Sequence, residues 1–538
     1  MAVSKVLIEI LSNVRCRVSD VPKIVLRQID DALAMPVEGA FHTGATTASG
    51  GAWDGKRHFF DPEAGTFPRG LLAKVKELLF QAGLEHEIRD LREGVLPPPK
   101  VSRLKVDMLE GVRFENEYAY QLDVARAALE QECGILWLAT NGGKTEVACA
   151  IMKVLRECVT LFMVGKKGLL HDARKRIAER LGIAIQDIGI IGDGRFSPQH
   201  ITVATVQSLA KVLPRKAGTG HKPLPRAKQE RIHKIKQYLR SVQLRFFDEC
   251  HHTKSRSWYK VGQLCPAQFQ YNLSGTPFGS GNGLMVEASS GPVIARVSNA
   301  ELIERGVSAR PVIVMTECAE PYIEHQTGMI YEDVYKEGIV TNTFRNNLIV
   351  EDILYLLRRG LPSLTLVREL WQGDLVSQML RSHGVTHRFL HGQSHPSDIV
   401  ESLSAYAEGR LKVLIGSSIF DEGETSASGL EGVSWMPKIR GLVVADAGKS
   451  PRATLQKVGR LLRRKRDGSN TAELYDYADC THKWLARHAL ERLKIYEEEG
   501  FQVITREPGE RLDPVRVAMR ERLREQHVRR LVAVPSAA

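Results

Sequence analysis

The sequence predicts an α/β protein: two tandem doubly wound parallel-sheet domains behind a small amino-terminal α/β unit. Three observations predict it. Apolar strand-like runs alternate with helical patterns from about 113 to 300, a second alternating block runs from about 308 to 500, and the residues before 100 carry short β-like runs of their own. At 538 residues the chain is too long for one ordinary core, and 43% hydrophobic with 26% charged residues fits a folded chain rather than a disordered one.

The small unit, 1–100, has strand-like KVLIEI, RHFF and EHEIRDLR, with helical patterns after Ser19 and in FPRGLLAKVKELLFQAGL. EGVLPPPK ends it, because successive prolines exclude a helix and favour an extended link. In the first large domain, 101–300, GILWLAT leads into TEVACAIMKVLREC and TLFMVG into LLHDARKRIAERLG, the strand-then-helix order of a parallel sheet. A glycine- and proline-rich, then basic, segment between Leu213 and Arg240 reads either as a phosphate-touching loop or as a solvated face. The second large domain, 301–505, carries LPSLTLV, HRFLHG, KVLIG and IRGLVVAD. An arginine-rich helical tail, 506–538, is open to the same two readings.

Lysine and arginine outnumber acids by 75 to 63, a net charge of +12 that favours a polyanionic partner without naming one. The eight cysteines are scattered with no pair at metal-ligand spacing, as in a reduced compartment. No apolar stretch approaches the ~20 residues of a membrane span, and the first residues carry charges where a signal peptide would not. A cytoplasmic location without membrane contact is the expectation.

Chemistry concentrates in three places. LATNGGKT, Leu138 to Thr145, lies between an apolar run and a helical pattern. Backbone amides of Thr140, Asn141, Gly142 and Gly143 opening a helix can surround phosphates, Lys144 can neutralise them, and the Thr145 hydroxyl can ligate magnesium. Asn141 replaces a glycine, and asparagine is among the few other residues that visit left-handed backbone. Next, LRFFDECHH ends an apolar strand with two acids. Asp248 suits magnesium and Glu249 the attacking water, since one carboxylate serves poorly as both ligand and base. Cys250, His251 and His252 diverge as neighbours on a strand end and have no second ligand pair at zinc spacing. Last, TLQKVGRLLRRK puts Gln456, Arg460 and Arg463 at helical spacing on one face, where an arginine can stabilise charge growing on a γ-phosphate.

Taken in order, these strings resemble the motifs of superfamily 2 helicases from about 120 to 500. AYQLDVARAAL resembles the upstream adenine-contacting segment, GKKGLLHDARKRIAERLG motif Ia, ITVATVQSL motif Ib, DECHH the DExH motif II and LSGTPF motif III. LTLVREL, VLIGSSIFDEGE and QKVGRLLR resemble motifs IV, V and VI. The resemblance implies two RecA-like domains clamping ATP and Mg2+. It implies ATP contacts at Tyr120, Gln121, Gly143, Lys144, Thr145, Asp248, Glu249, Gly423, Arg460 and Arg463, and coupling through His251, Ser274 and Thr276. It further implies backbone contacts to one nucleic-acid strand at Lys166, Thr205 and Gln207. Thr425 departs from the family, which carries an aspartate two residues after the motif V glycine.

Within the superfamily the resemblance runs to phage helicases of the UvsW type and their restriction-subunit-like relatives, through WDGKRHFF with FPRGLL, LHGQSH, and RLKIYEEEGFQV. It implies an ATP-dependent DNA helicase or translocase on single-stranded and branched or forked DNA, in replication, recombination or repair, in a bacterial or phage-infected cytoplasm. The alternatives are an RNA helicase, the motor subunit of a restriction-type complex and, from another class, a non-hydrolysing DNA-binding scaffold. Retention of Lys144, Asp248, Glu249, Arg460 and Arg463 argues against the scaffold.

Overall fold

The computed structural model describes residues 5–37, 53–213, 225–250, 256–278, 283–417, 420, 438–448, 450–465 and 469–508. The chain divides into two compact units, Met1–Val297 and Ser298–Ala538. Each unit holds one large, predominantly parallel sheet.

The first unit opens with a four-stranded sheet, in the order Thr66–Pro68, Arg15–Ser19, Val6–Ser12, His86–Asp90. Alternation makes one face of it apolar: Val6, Ile8 and Ile10 point inward with Cys16, Val18 and Phe67. That face packs on the helices Lys23–Ala32 and Leu72–Gln81, and on Leu284, Met285 and Ala288 of the helix Leu284–Ser290. A polar joint adds to this apolar one. The Glu132 carboxylate accepts from Arg92 Nη1 at 2.7 Å, from Gln268 Nε2 at 2.8 Å and from Arg69. Burial pushes the Glu132 carboxyl up, but the two guanidinium groups hold it below its ordinary range. The small sheet is therefore packed into the same compact unit as the larger one.

The larger sheet has eight strands in the order Arg195–Ser197, Ile188–Gly192, Ile201–Thr205, Thr160–Val164, Leu244–Asp248, Phe269–Ser274, Cys133–Leu138, Val293–Val297. All pairs are parallel except the short Arg195–Ser197 edge. The inner strands are covered on both faces, so TLFMV and FQYNLS are buried at every position.

The second unit holds a wholly parallel seven-stranded sheet. Its order is Arg388–Leu390, Val413–Gly416, Ser363–Leu366, Gly441–Val444, Thr471–Asp479, Arg310–Cys318, Gln502–Arg506. Its core contains a dry ion pair, Arg345 Nε to Asp479 Oδ1 at 2.6 Å, with Arg345 also donating to the Ala445 carbonyl at 2.7 Å. Removing one member of such a pair strands a buried charge. Asp479→Ala is expected to cost about 3–5 kcal/mol, visible as a lower denaturation midpoint for this unit, and an unchanged midpoint would refute it. No helix among the described residues is long and apolar enough to cross a membrane.

Candidate functional site

Three neighbouring strands of the first unit, Leu244–Asp248, Phe269–Ser274 and Cys133–Leu138, end side by side, with Asp248 level with Leu273 and Ser274 with Trp137. The segments leaving them share one carboxyl edge, where open parallel sheets bind ligands.

After Leu138 the chain turns tightly, the Gly142 N–H donating to the Ala139 carbonyl at 2.9 Å and half-buried Thr140 lying within the turn. Asn141 takes φ +71° and Gly143 φ +78°, so asparagine holds the left-handed position that its side chain tolerates. A Cβ at Gly143 would run into the Gln121 amide, and its positive φ adds strain for any other residue. Lys144 and half-buried Thr145 then open the helix Lys144–Val154.

Lys144 Nζ is paired with the Glu249 carboxylate. Burial alone would lower the lysine pKa, but Glu249 and Asp248 more than offset it and raise it, so the amine stays charged. Glu249 sits at φ +53°, an uncommon conformation for its residue type, with its N–H held by Asp248 Oδ1 at 3.0 Å. Its second oxygen accepts from the Ser274 hydroxyl at 3.5 Å, and Ser274 Oγ accepts from the Thr276 amide at 3.1 Å. Lys144, Asp248, Glu249, Ser274 and Thr276 thus form one connected cluster.

Tyr120 and Gln121, expected to face adenine, pack on the turn itself. The Tyr120 hydroxyl donates to the Gly142 carbonyl at 3.1 Å and Gln121 Nε2 to the same oxygen at 3.4 Å. Gln121 Oε1 and both amide atoms of Asn141 are buried with no hydrogen-bond partner among the described residues. Orphaned polar atoms of this kind call for a partner, and three of them around a glycine cradle fit a nucleotide.

The expected nucleic-acid contacts come from other strand ends of the same edge. Lys166 precedes the helix Lys167–Leu181 and is half-buried. The Thr205 hydroxyl, by contrast, is buried and donates to Ser208 Oγ at 2.9 Å, and the Gln207 amide donates to the Gly165 carbonyl. Thr205 braces its own turn and Gln207 reaches the neighbouring loop, because a strand end that turns into a short helix must satisfy its own polar groups first.

In the second unit the helix Pro451–Leu461 carries half-buried Gln456 and buried Arg460. The one-face reading fails for Arg463. The helix ends before it, the Ala309 N–H donates to the Leu462 carbonyl at 2.8 Å, and Arg463 bridges to Ser308 as an isolated β-pair. Backbone pairing with the chain entering Arg310–Cys318 overrides the helical period. His251, His252, Gly423, Glu424 and Thr425 lie outside the described residues.

Sequence reasoning passed over Glu146. It follows Thr145 and is buried, accepting from Arg176 Nη2 at 2.7 Å and Arg180 Nε at 3.3 Å. Burial raises its carboxyl, and the Arg176 and Arg180 charges hold it below its ordinary range. The signal was present as two arginines four residues apart on a helix, which places them on one face. The pair ties the helix Lys144–Val154 to the helix that follows Lys166.

Residues 114–279, which contain the whole cluster, match the family model described as Type III restriction enzyme, res subunit. The DNA 3'-5' translocase XPB2 of Sulfurisphaera tokodaii is 22% identical over 426 residues, covering 72% of this chain and 89% of that protein. Both matches support a superfamily 2 helicase. Helicase relatives of this kind imply a nucleic-acid-dependent ATPase with ATP as its nucleotide. Among solved structures, the DNA-bound Type ISP restriction-modification enzyme LlaBIII matches with a TM-score of 0.52 at 13% identity, over 80% of this chain and 34% of that one. The structure of UvsW from bacteriophage T4 aligns over 94% of this helicase and 99% of its own chain, with 17% identity and a TM-score of 0.43.

Proposed function

We propose that the chain is an ATP-driven translocase that moves along one strand of DNA and remodels forked or branched duplexes. One arrangement carries this: the phosphate-loop lysine and the DExH glutamate meet at the carboxyl edge of a parallel sheet, with Ser274 joined to the same carboxylate. In this reading Lys144 leaves Glu249 for the phosphates, and the freed carboxylate orients the attacking water. Thr145 and Asp248 are the residues that would hold magnesium, which supplies further charge neutralisation on the phosphates. Ser274 and Thr276, hydrogen-bonded to the glutamate side of the cluster, sense which partner Glu249 has. Gln456, Arg460 and Arg463 are assigned to the charge growing on the γ-phosphate.

DNA as the track, and 3'-5' travel, are carried over from the relative named for that activity. Steady-state ATP turnover compared on single-stranded DNA, duplex, forked DNA, four-way junctions and RNA tests the reading. Stimulation is expected to be strongest on forked or junction DNA, and stimulation by RNA alone would overturn it. Affinity for DNA should also fall steeply with salt as counterions are released, and a flat salt dependence would remove the backbone-contact model.

A further inference from the structure

In the second unit, Trp371 has no place in the core. It is 69% exposed, in the first turn of the helix Leu370–Ser382, directly after the strand Ser363–Leu366. The rotation of that helix is fixed by its neighbours. Gln372 is fully buried, its Nε2 donating to the Ile339 carbonyl at 3.2 Å and to Ala445 at 3.4 Å, and a Cβ on Gly373 would run into the Phe389 ring. Val376 and Leu380 continue the inward stripe. Trp371 is therefore held on the outer face, although tryptophan is ordinarily covered in folded chains. Three residues earlier in the chain stands a braced cation. The Arg368 guanidinium lies over the Tyr335 ring, 5.1 Å from its centre, and 3.5 Å from the Glu369 carboxylate, while the Tyr335 hydroxyl is anchored on the Asp446 carbonyl at 2.9 Å.

We propose that Trp371 is a stacking platform for an unpaired base of the nucleic-acid strand on which this helicase acts, with Arg368 meeting the adjoining phosphate. The inference rests on the nucleic-acid reading above and deepens it by naming a residue of the second unit that grips the strand. Its helix follows the strand Ser363–Leu366, an interior strand of the seven-stranded sheet, and so begins at the carboxyl edge that parallel sheets present to ligands. An indole face accepts any base, which suits a motor that must hold every sequence in turn, and a neighbouring guanidinium answers the charge of the backbone. Stacking of this kind needs no base-edge hydrogen bond, and none of the side chains around Trp371 named above is aimed to make one.

Binding of the full chain to short fluorescent oligo(dT), oligo(rU) and an abasic oligomer of equal length tests it. Trp371→Ala is expected to weaken both base-bearing oligomers roughly ten- to a hundredfold. It should leave abasic binding, the salt slope and nucleic-acid-free ATP turnover unchanged, because no charge is lost. Trp371→Phe should recover most of the affinity, and Arg368→Ala should weaken all three oligomers and flatten the salt slope. A Trp371→Ala chain that binds oligo(dT) and oligo(rU) as tightly as its parent overturns the platform and leaves the motor reading intact. A parent chain that binds no oligomer at all overturns both.

Discussion

Lys144→Ala is expected to leave the chain folded and to lower ATP turnover by about a thousandfold or more. The lysine amine is held charged against Glu249 inside a largely desolvated cluster. Without it an incoming polyphosphate would meet the Asp248 and Glu249 carboxylates with no positive group at the head of the helix, and in such surroundings like charges repel strongly. Arginine is a poor replacement, since its planar fork does not occupy the position of a compact ammonium. Phosphate release at saturating DNA, with thermal denaturation as a control on folding, measures the effect. A variant that kept more than about a tenth of the parent turnover would end the assignment of Lys144 to the phosphates.

Arg463→Ala is expected to spare nucleotide binding and to slow hydrolysis by about 10³- to 10⁵-fold, the range for a guanidinium that acts only on the transition state. The structure separates it from its neighbour. Arg460 is buried in the helix that packs on the sheet, so Arg460→Ala should lower the denaturation midpoint as well as the rate. Arg463 lies past the helix end, half-buried and pinned through its backbone to Ser308, and its side chain can change without disturbing that pairing. Binding of a fluorescent nucleotide measured beside single-turnover hydrolysis distinguishes the two effects. Loss of binding and rate together in Arg463→Ala would assign the residue to ground-state contact instead.

The turn at 139–143 was legible in the sequence because its backbone requirements are local. A buried strand that must stop, residues that tolerate left-handed backbone at 141 and 143, and a helix with a cation at its head are all consequences of neighbours along the chain. The same holds for Asp248 and Glu249, which fall where an apolar strand ends. Partnerships were not legible. Nothing in the spacing of Tyr120 and Gln121 says that both lean on the Gly142 carbonyl, or that Thr205 turns inward to Ser208. Those choices depend on how each turn folds back on its neighbours, which the spacing of residues does not state. Arg463 shows the same limit from the other side: its helical period was real, but a backbone pair with Ser308 took the chain out of the helix.

The sequence alone determined that this protein has two parallel-sheet halves behind a small α/β unit, and which residues stand at the phosphate turn and at the DExH strand end. Periodicity and backbone preference act over a few residues, and these features need nothing longer. Only the tertiary structure decided that Glu249 would hold Lys144 and Ser274, that Glu146 would be sequestered by Arg176 and Arg180, and that Trp371 would be left facing outward. Each of these follows from strand order and helix rotation. Packing sets both, by bringing together side chains that the chain itself keeps far apart.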